Sequence, residues 1–320
     1  MLPETTQPTH EDRLQRALLS LDGLSVGDAL GQLLSTRARS ARHVIEQDAL
    51  PSSYWWHTDD TQMAMSLVEE LAALKRVSPD SLAHCLAQRF KADPGRGYGK
   101  GARMQLEQIA AGASWRETSA AAFGGRGSKG NGSAMRVAPL GAYFADDLDL
   151  VLSQSTQSSI VTHSHPEGIA GSIAVALAAA QAWQARFLDL DSARQLIWDT
   201  VLDRTPPGET LDGIRKARAV PFEMSAENAA RILGSGFLVT APDTVPFTLW
   251  CALRHLNNYR EALISTLEGD GDCDTNCAIM GGIVALFVGR KGIPSSWLQS
   301  REPLLLNFIP PAPSPSPKGA

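Results

Sequence analysis

The sequence predicts an all-α fold in a single compact domain, on three observations. Apolar residues recur through most of the chain at the three- and four-residue spacing of amphipathic helices. Few segments alternate as strands do, and none builds a sheet. An Ala-rich stretch ending near Ala185 and the uninterrupted apolar run Ala278–Val288 both read as helices enclosed by a core. With 320 residues and 43% hydrophobic content, the chain can bury a sizeable core. No internal repeat or linker divides it.

In order, residues 1–10 are polar and expected to be flexible, and the domain is expected over 11–305. Leu14, Ala17, Leu18, Leu21 and Leu24 share one helical face and lead into Gly27-Asp-Ala-Leu-Gly31. Those glycines permit a close helix contact or a bend. A second helix is expected from Thr58 or Asp59 to about Lys75, with Met63, Leu67, Leu71 and Leu74 on one face. Further helices are expected over 80–92 and through Met104, Leu106 and Ile109, and 137–144 is an apolar segment. The Ala-rich helix opens after His163-Ser-His-Pro166. Residues 188–203 and 209–233 continue the pattern, broken at Pro221. Residues 234–246 read as a loop, Phe247–Leu256 as helix, and 293–302 as one last short helix. The Pro/Ser-rich tail 306–320 is expected to be disordered.

The formal net charge of −5 argues against a general binder of nucleic-acid phosphates, whose surface is usually basic. Cys85, Cys251, Cys273 and Cys277 form no CxxC pair and read as reduced thiols. No stretch has the order of a signal peptide, and no apolar run reaches the length of a membrane span. The expected location is cytoplasmic, with no membrane or nucleic-acid partner.

Chemistry concentrates in four places. Asp270, Asp272, Asp274 and Thr275 stand directly before the apolar run 278–288. Ionised carboxylates are costly to bury without a cation or donor. The stretch therefore reads either as a solvated, capped surface loop or as a hard-cation site, for which Asp and Thr supply oxygen ligands. Thr58, Asp59 and Asp60 form a second acidic cluster at a helix start. One such residue is an ordinary cap; two adjacent ones diverge by about 100° and could serve two ions. The loops Asp93-Pro-Gly-Arg-Gly-Tyr-Gly-Lys-Gly101 and Phe123-Gly-Gly-Arg-Gly-Ser-Lys-Gly-Asn-Gly132 are glycine-rich. Such backbone can approach a diphosphate, and amides at a helix start bind anions. Arg126, Lys129 and Arg136 add positive charge, and Phe123 could stack on a base. His163 and His165 fit either a ligand contact or a cap.

Taken together, Gly-Asp-Ala-Leu-Gly, Thr-Asp-Asp-Thr, Gly-Asn-Gly-Ser-Ala-Met-Arg and Gly-Asp-Cys-Asp-Thr occur in the order seen in the ADP-ribosylglycohydrolase family. The chain resembles that family from about residue 20 to 290. Its glycine-rich loops are most similar to the branch acting on serine-linked ADP-ribose and poly(ADP-ribose). The resemblance implies a compact orthogonal helical domain with a two-metal site. Thr58, Asp59, Asp60, Asp272, Asp274 and Thr275 would surround two Mg2+ or Mn2+ ions, with the four aspartates catalytic. It places Gly97, Gly99, Gly127, Ser128, Gly130, Asn131 and Gly132 at the diphosphate and ribose, Phe123 near the adenine and His163 near the ribose. Asp270 falls outside the matched pattern.

The implied activity is metal-dependent hydrolysis of the glycosidic bond between ADP-ribose and a protein side chain or small acceptor. Two positions depart from the serine-directed branch. Ser35 stands where a Glu implicated in catalysis or gating is found, with Gln32 nearby and Glu46 the downstream candidate to replace it. Lys129 stands where that branch has an aromatic residue. These differences motivate an alternative, an ADP-ribose-binding or regulatory protein of the same fold; a structural, crystallin-like role is a third.

Overall fold

A computed structural model describes residues 7–308. Among them are sixteen α-helices and no strand; two isolated bridges, Trp55 with Arg301 and Gly130 with Thr240, are the only β-type pairings described. The expected tail from residue 309 onward lies outside the described residues. Residues 304–308 are described, and Leu304, Leu306 and Phe308 pack against the core.

The first helix, α1 (His10–Leu34), starts at Thr9, which forms a capping box with Asp12. Short α2 (Ala41–Glu46) follows a 3-10 turn. Helix α3 (Asp59–Leu74) is capped by the Thr58 hydroxyl and ends at Lys75 in a left-handed conformation. Then come α4 (Pro79–Ala92), α5 (Lys100–Ala110), α6 (Trp115–Gly125), α7 (Ala138–Tyr143), α8 (Leu148–Ile160) and the Ala-rich α9 (Pro166–Gln184). The chain closes with α10 (Leu190–Arg204), α11 (Glu209–Ala219), α12 (Ala226–Leu233), α13 (Ala241–Arg254), α14 (Tyr259–Glu268), α15 (Cys273–Val288) and α16 (Ser295–Ser300).

Several boundaries differ from the sequence reading. Helix α13 begins at Ala241, inside the stretch expected to be a loop. Pro242 is tolerated in a first turn, where amide donors lack helical partners anyway. Pro246, inside the helix, cannot donate to the Pro242 carbonyl. Gly213 leaves room for its ring, since a Cβ there would lie 2.6 Å from Pro246 Cγ. Helices α6, α8 and α14 had no clear sequence signal. Helix α15 starts at Cys273 rather than Ala278, so Asp274 and Thr275 sit in its first turn.

The centre of the domain is the pairing of α1 with α15. Gly23, Gly27 and Gly31 recur every four residues, one stripe of a helix face. A Cβ on them would lie 2.3 Å from Gly281 O, 2.0 Å from Cys277 O and 2.4 Å from Cys273 O. The two backbones therefore touch, and no side chain fits between them. Tyr259 of α14 locks the same seam by donating to the Gly23 carbonyl at 2.5 Å. Helices α7, α9, α13 and α14 pack around α15 and bury it on nearly every side.

Gly27→Ala is expected to destabilise the fold by about 2 kcal/mol, the usual range for overpacking. The readout is a lower urea midpoint at unchanged slope. A loss within the ordinary surface range, about 0.5 kcal/mol, would mean the helices separate without cost.

Candidate active site

The seam fixes the first element of the site. Asp28, one residue past Gly27, is fully buried beside the start of α15. Its carboxylate accepts from Thr58 N at 2.9 Å, Thr58 Oγ1 at 2.8 Å, Thr61 N at 3.0 Å and Thr61 Oγ1 at 2.5 Å. It thereby pins the first turn of α3 and aims the acidic pair. The Thr58 hydroxyl proton is shared with Asp60 Oδ2, 2.9 Å away. Asp60 Oδ1 is buried with no hydrogen-bond partner.

Asp272 stands at the N-cap of α15, yet its side chain caps nothing. Instead Asp272 Oδ2 accepts from Asn131 Nδ2 at 2.7 Å, and Asn131 also donates to Thr244 Oγ1 at 3.0 Å. Burial, and then the charge of Asp274, push Asp28 and Asp272 each up to about 7. Burial raises Asp59 and Asp60 well above the usual carboxylate range, and the charges of Asp28 and Asp274 add to that. The strongest charges acting on these two groups are all carboxylates. Three buried acids, Asp28, Asp59 and Asp60, and the partly buried Asp272 thus share a small volume, with no cation among the strongest charges acting on them.

Glycine-rich backbone faces this acidic wall. The 93–99 loop is tied to it through Asp59 N, which donates to Arg96 O at 2.7 Å. Gly97 adopts φ +88° and runs within 3.6 Å of Asp59 Oδ1, measured from where its Cβ would be. The 127–132 loop lies over His163: a Cβ on Gly132 would be 2.8 Å from the ring, so only glycine fits. His163 is buried, Nδ1 is 2.7 Å from Thr162 Oγ1, and burial followed by the charge of Arg136 pulls it down to about 3. It is a neutral support under the loop.

Three loop amides are engaged within the protein: Gly127 N donates to Ala122 O, Gly130 N to Ser128 Oγ and Asn131 N to Val239 O. Arg136, expected among the loop's cations, is fully buried beneath it. It donates to Ser158 O at 2.7 Å, Thr162 Oγ1 at 3.1 Å and Gly132 O at 3.3 Å, and so braces the loop from below.

One cleft of 690 Å³ gathers these parts. Asp59, Asp60, Asp272, Asp274, Thr275, Gly97, Gly99, Phe123, Gly127, Ser128, Gly130, Asn131, Gly132 and His163 all line it. Thr58 lies behind the wall, bonded to Asp28 and Asp60. Asp270 is outside the lining, in a left-handed turn with φ 62°. Phe123, also left-handed with φ 52°, is 61% exposed at the rim. His165 caps α9 through Nδ1 and reaches the cleft as well.

The lining adds Lys100, Glu209 and Leu238–Thr240, none singled out in the sequence. Lys129 pairs with Glu209 at 3.4 Å. Ser35 and Gln32 are not part of the lining; the Ser35 hydroxyl donates to Gln32 O at 2.9 Å. Glu46 does not take Ser35's place: it is half exposed, 3.6 Å from Arg42, and outside the cleft.

Among the described residues, no three His, Cys, Asp or Glu side chains already converge closely enough to grip an ion. The donor set nevertheless suits a hard cation: buried aspartates, mutually repelling, with the unpartnered Asp60 Oδ1 among them.

Fold and cleft together define an all-α protein with an acidic wall opposite a glycine-rich wall. The profile of the ADP-ribosylglycohydrolase family matches residues 8–307, and the chain belongs to that family, whose members hydrolyse ADP-ribose linkages. Human ADP-ribosylhydrolase ARH3 is 31% identical over 276 residues, spanning 77% of this chain and 75% of its own. An uncharacterized protein of Archaeoglobus fulgidus is 30% identical, spanning 90% of this chain and 91% of its own. ADP-ribosylarginine hydrolase Tri1 of Pseudomonas putida is 26% identical, spanning 91% and 75%. A solved structure described as an ADP-ribosylglycohydrolase-related protein complex superposes with TM-score 0.63 at 24% identity, covering 91% of this chain and 93% of that one. At that identity it speaks to the fold. No helix among the described residues is long and apolar enough to cross a membrane.

The carboxylate cluster predicts a pH dependence. Asp28 and Asp272 titrate near 7 in the folded protein, against about 3.9 when unfolded. The folded state therefore binds more protons between those values, and stability falls as pH rises through 7. Buried His57 and His163, pulled down to about 4 and about 3, have the opposite slope, but it is complete above roughly pH 6.5. In chelator, Tm is expected to fall between roughly pH 6.5 and 8, less steeply in Asp272→Asn. A rising Tm in that window would contradict uncompensated carboxylates.

Proposed function

We propose that the protein is a divalent-cation-dependent hydrolase that frees ADP-ribose from a modified protein side chain or a related small-molecule conjugate. The observation carrying this reading is the buried group of uncompensated aspartates facing glycine-rich backbone across a single cleft. Asp59, Asp60, Asp272 and Asp274 would hold Mg2+ or Mn2+, with Thr275 as a flanking oxygen and Thr58, behind the wall, holding Asp60. Bound cations would supply positive charge for the ribose hydroxyls and lower the pKa of a nearby water.

The chain's own residues do the rest. Lys100, Arg126 and Lys129 bring positive charge to the diphosphate beside the 127–132 backbone. Phe123, held at the rim, offers a flat face to the adenine. Neutral His163 keeps the loop at its height without adding charge near the ribose. Cleavage passes through an oxocarbenium-like state at the anomeric carbon. Water adds there, its proton passes to a carboxylate of the cluster, and the departing acceptor atom takes up a proton. Aspartates raised toward neutrality suit such transfers at physiological pH. Asn131 orients Asp272 for either role.

A second reading, ADP-ribose binding without turnover, is favoured by one observation: Glu46, the candidate to stand in for a Glu at Ser35, is held at Arg42 outside the cleft. Tri1 is named for arginine-linked ADP-ribose and the glycine-rich loops resemble the serine-directed branch, so serine- and arginine-linked peptides are both appropriate substrates.

With Mg2+ or Mn2+, either peptide is expected to yield free ADP-ribose, and Asp60→Asn or Asp272→Asn to cut kcat by about 100-fold or more. Full activity in EDTA would sink the cation-dependent reading. Tight ADP-ribose binding with no release from any linkage would establish the second. Phe123→Ala should raise KM about 10-fold at near-constant kcat, as loss of base stacking requires; an unchanged KM would remove Phe123 from the adenine site.

A further inference from the structure

Arg96 joins three segments that lie far apart in the chain. Its guanidinium meets the Glu302 carboxylate through two bonds, Nη1 to Oε2 at 2.6 Å and Nη2 to Oε1 at 2.8 Å. Nε donates to Asp93 at 2.6 Å, and Nη1 also donates to the His57 carbonyl at 3.0 Å. Arg96's own carbonyl accepts the Asp59 amide at 2.7 Å. One residue therefore fixes the backbone on both sides of Thr58, while Asp28 pins Thr58 and Thr61 from within.

Glu302 is itself held in register. Its amide donates to Trp55 O at 3.0 Å, and Trp55 N donates to Ser300 O at 2.8 Å, so residues 300–302 run alongside the entry to the acidic turn. Both side chains are mostly buried, and the Trp56 ring covers the guanidinium at 5.6 Å. An exposed ion pair holds little geometry; a shielded, two-pronged one fixes the plane of the guanidinium. That plane is what directs Nη1 at the His57 carbonyl.

We propose that Glu302 is a positioning residue for the acidic turn: acting through Arg96, this carboxylate near the end of the described chain holds Thr58–Asp60 in place against the 93–99 loop. The inference deepens the function proposed above, because that turn carries the cation ligands named there. It requires no contact between Glu302 and substrate. The catalytic geometry of the first acidic cluster then depends on a segment that arrives after the second cluster has been made.

The test uses the full chain with Glu302→Gln, which keeps size and removes charge, and Arg96→Lys, which keeps charge but cannot reach all three acceptors. Glu302→Asp serves as the conservative rescue. Amide exchange over residues 57–62, measured in chelator, should quicken about 10-fold in Gln and Lys variants with Tm nearly unchanged, and partly recover in Asp. Mn2+ affinity by electron paramagnetic resonance should weaken about 10-fold, as when an outer partner of a ligand is lost. Unchanged exchange over 57–62 in both variants overturns the proposal whatever the metal result. If exchange quickens but the unsubstituted protein takes up no Mn2+, the positioning role stands and the cation-dependent function falls.

Discussion

The contact between α1 and α15 is the constraint on which the rest of the molecule depends. Gly23, Gly27 and Gly31 clear one stripe of α1 of side chains, bringing two backbones into contact there. The approach is close enough that Asp28, on the adjoining face, lies within electrostatic reach of Asp274 on the first turn of α15. A wider seam filled by leucines would bury as much apolar surface, but the two halves of the acidic wall would no longer meet. Packing and chemistry are set here by the same glycines.

From that seam the site is built by division of labour. Asp28 makes no appearance in the cleft lining but orients the residues that do, through Thr58 and Thr61. Asn131 performs the same office for Asp272, and Arg136 and His163 support the loop that carries Asn131. Asp60, Asp272 and the 127–132 loop thus each rest on a buried or partly buried partner, as a preorganised site requires. The concentration of like charge that makes the wall useful also makes it unfavourable in isolation. A ligand carrying positive charge would relieve that repulsion, which links occupancy of the site to stability of the fold.

Much of this was legible in the sequence because acids beside buried helices are conspicuous: Asp59, Asp60, Asp272 and Asp274 stood out, and the structure brings all four to one cleft. Asp28 did not stand out, because a single Asp between glycines looks like any tight helix contact until its burial is known. Arg136 was misplaced for the converse reason: a cation in a glycine-rich loop resembles an anion ligand, and only tertiary packing shows it underneath. The early start of α13 was hidden by Pro242 and Pro246, which read locally as helix breakers. Glu302 carried no local signal at all, since its partner is more than half the chain away.

The α1–α15 pairing also has a consequence for biogenesis. The two helices are separated by more than 230 residues of sequence, so the central seam stays open until α15 has been made. Contacts of such sequence separation slow folding and leave apolar surface exposed in intermediates. Prematurely terminated chains would carry Asp28, Asp59 and Asp60 but lack the helix that confines them. Only a chain that has reached α15 can concentrate the acids, so the site and the central packing of the fold form in one event.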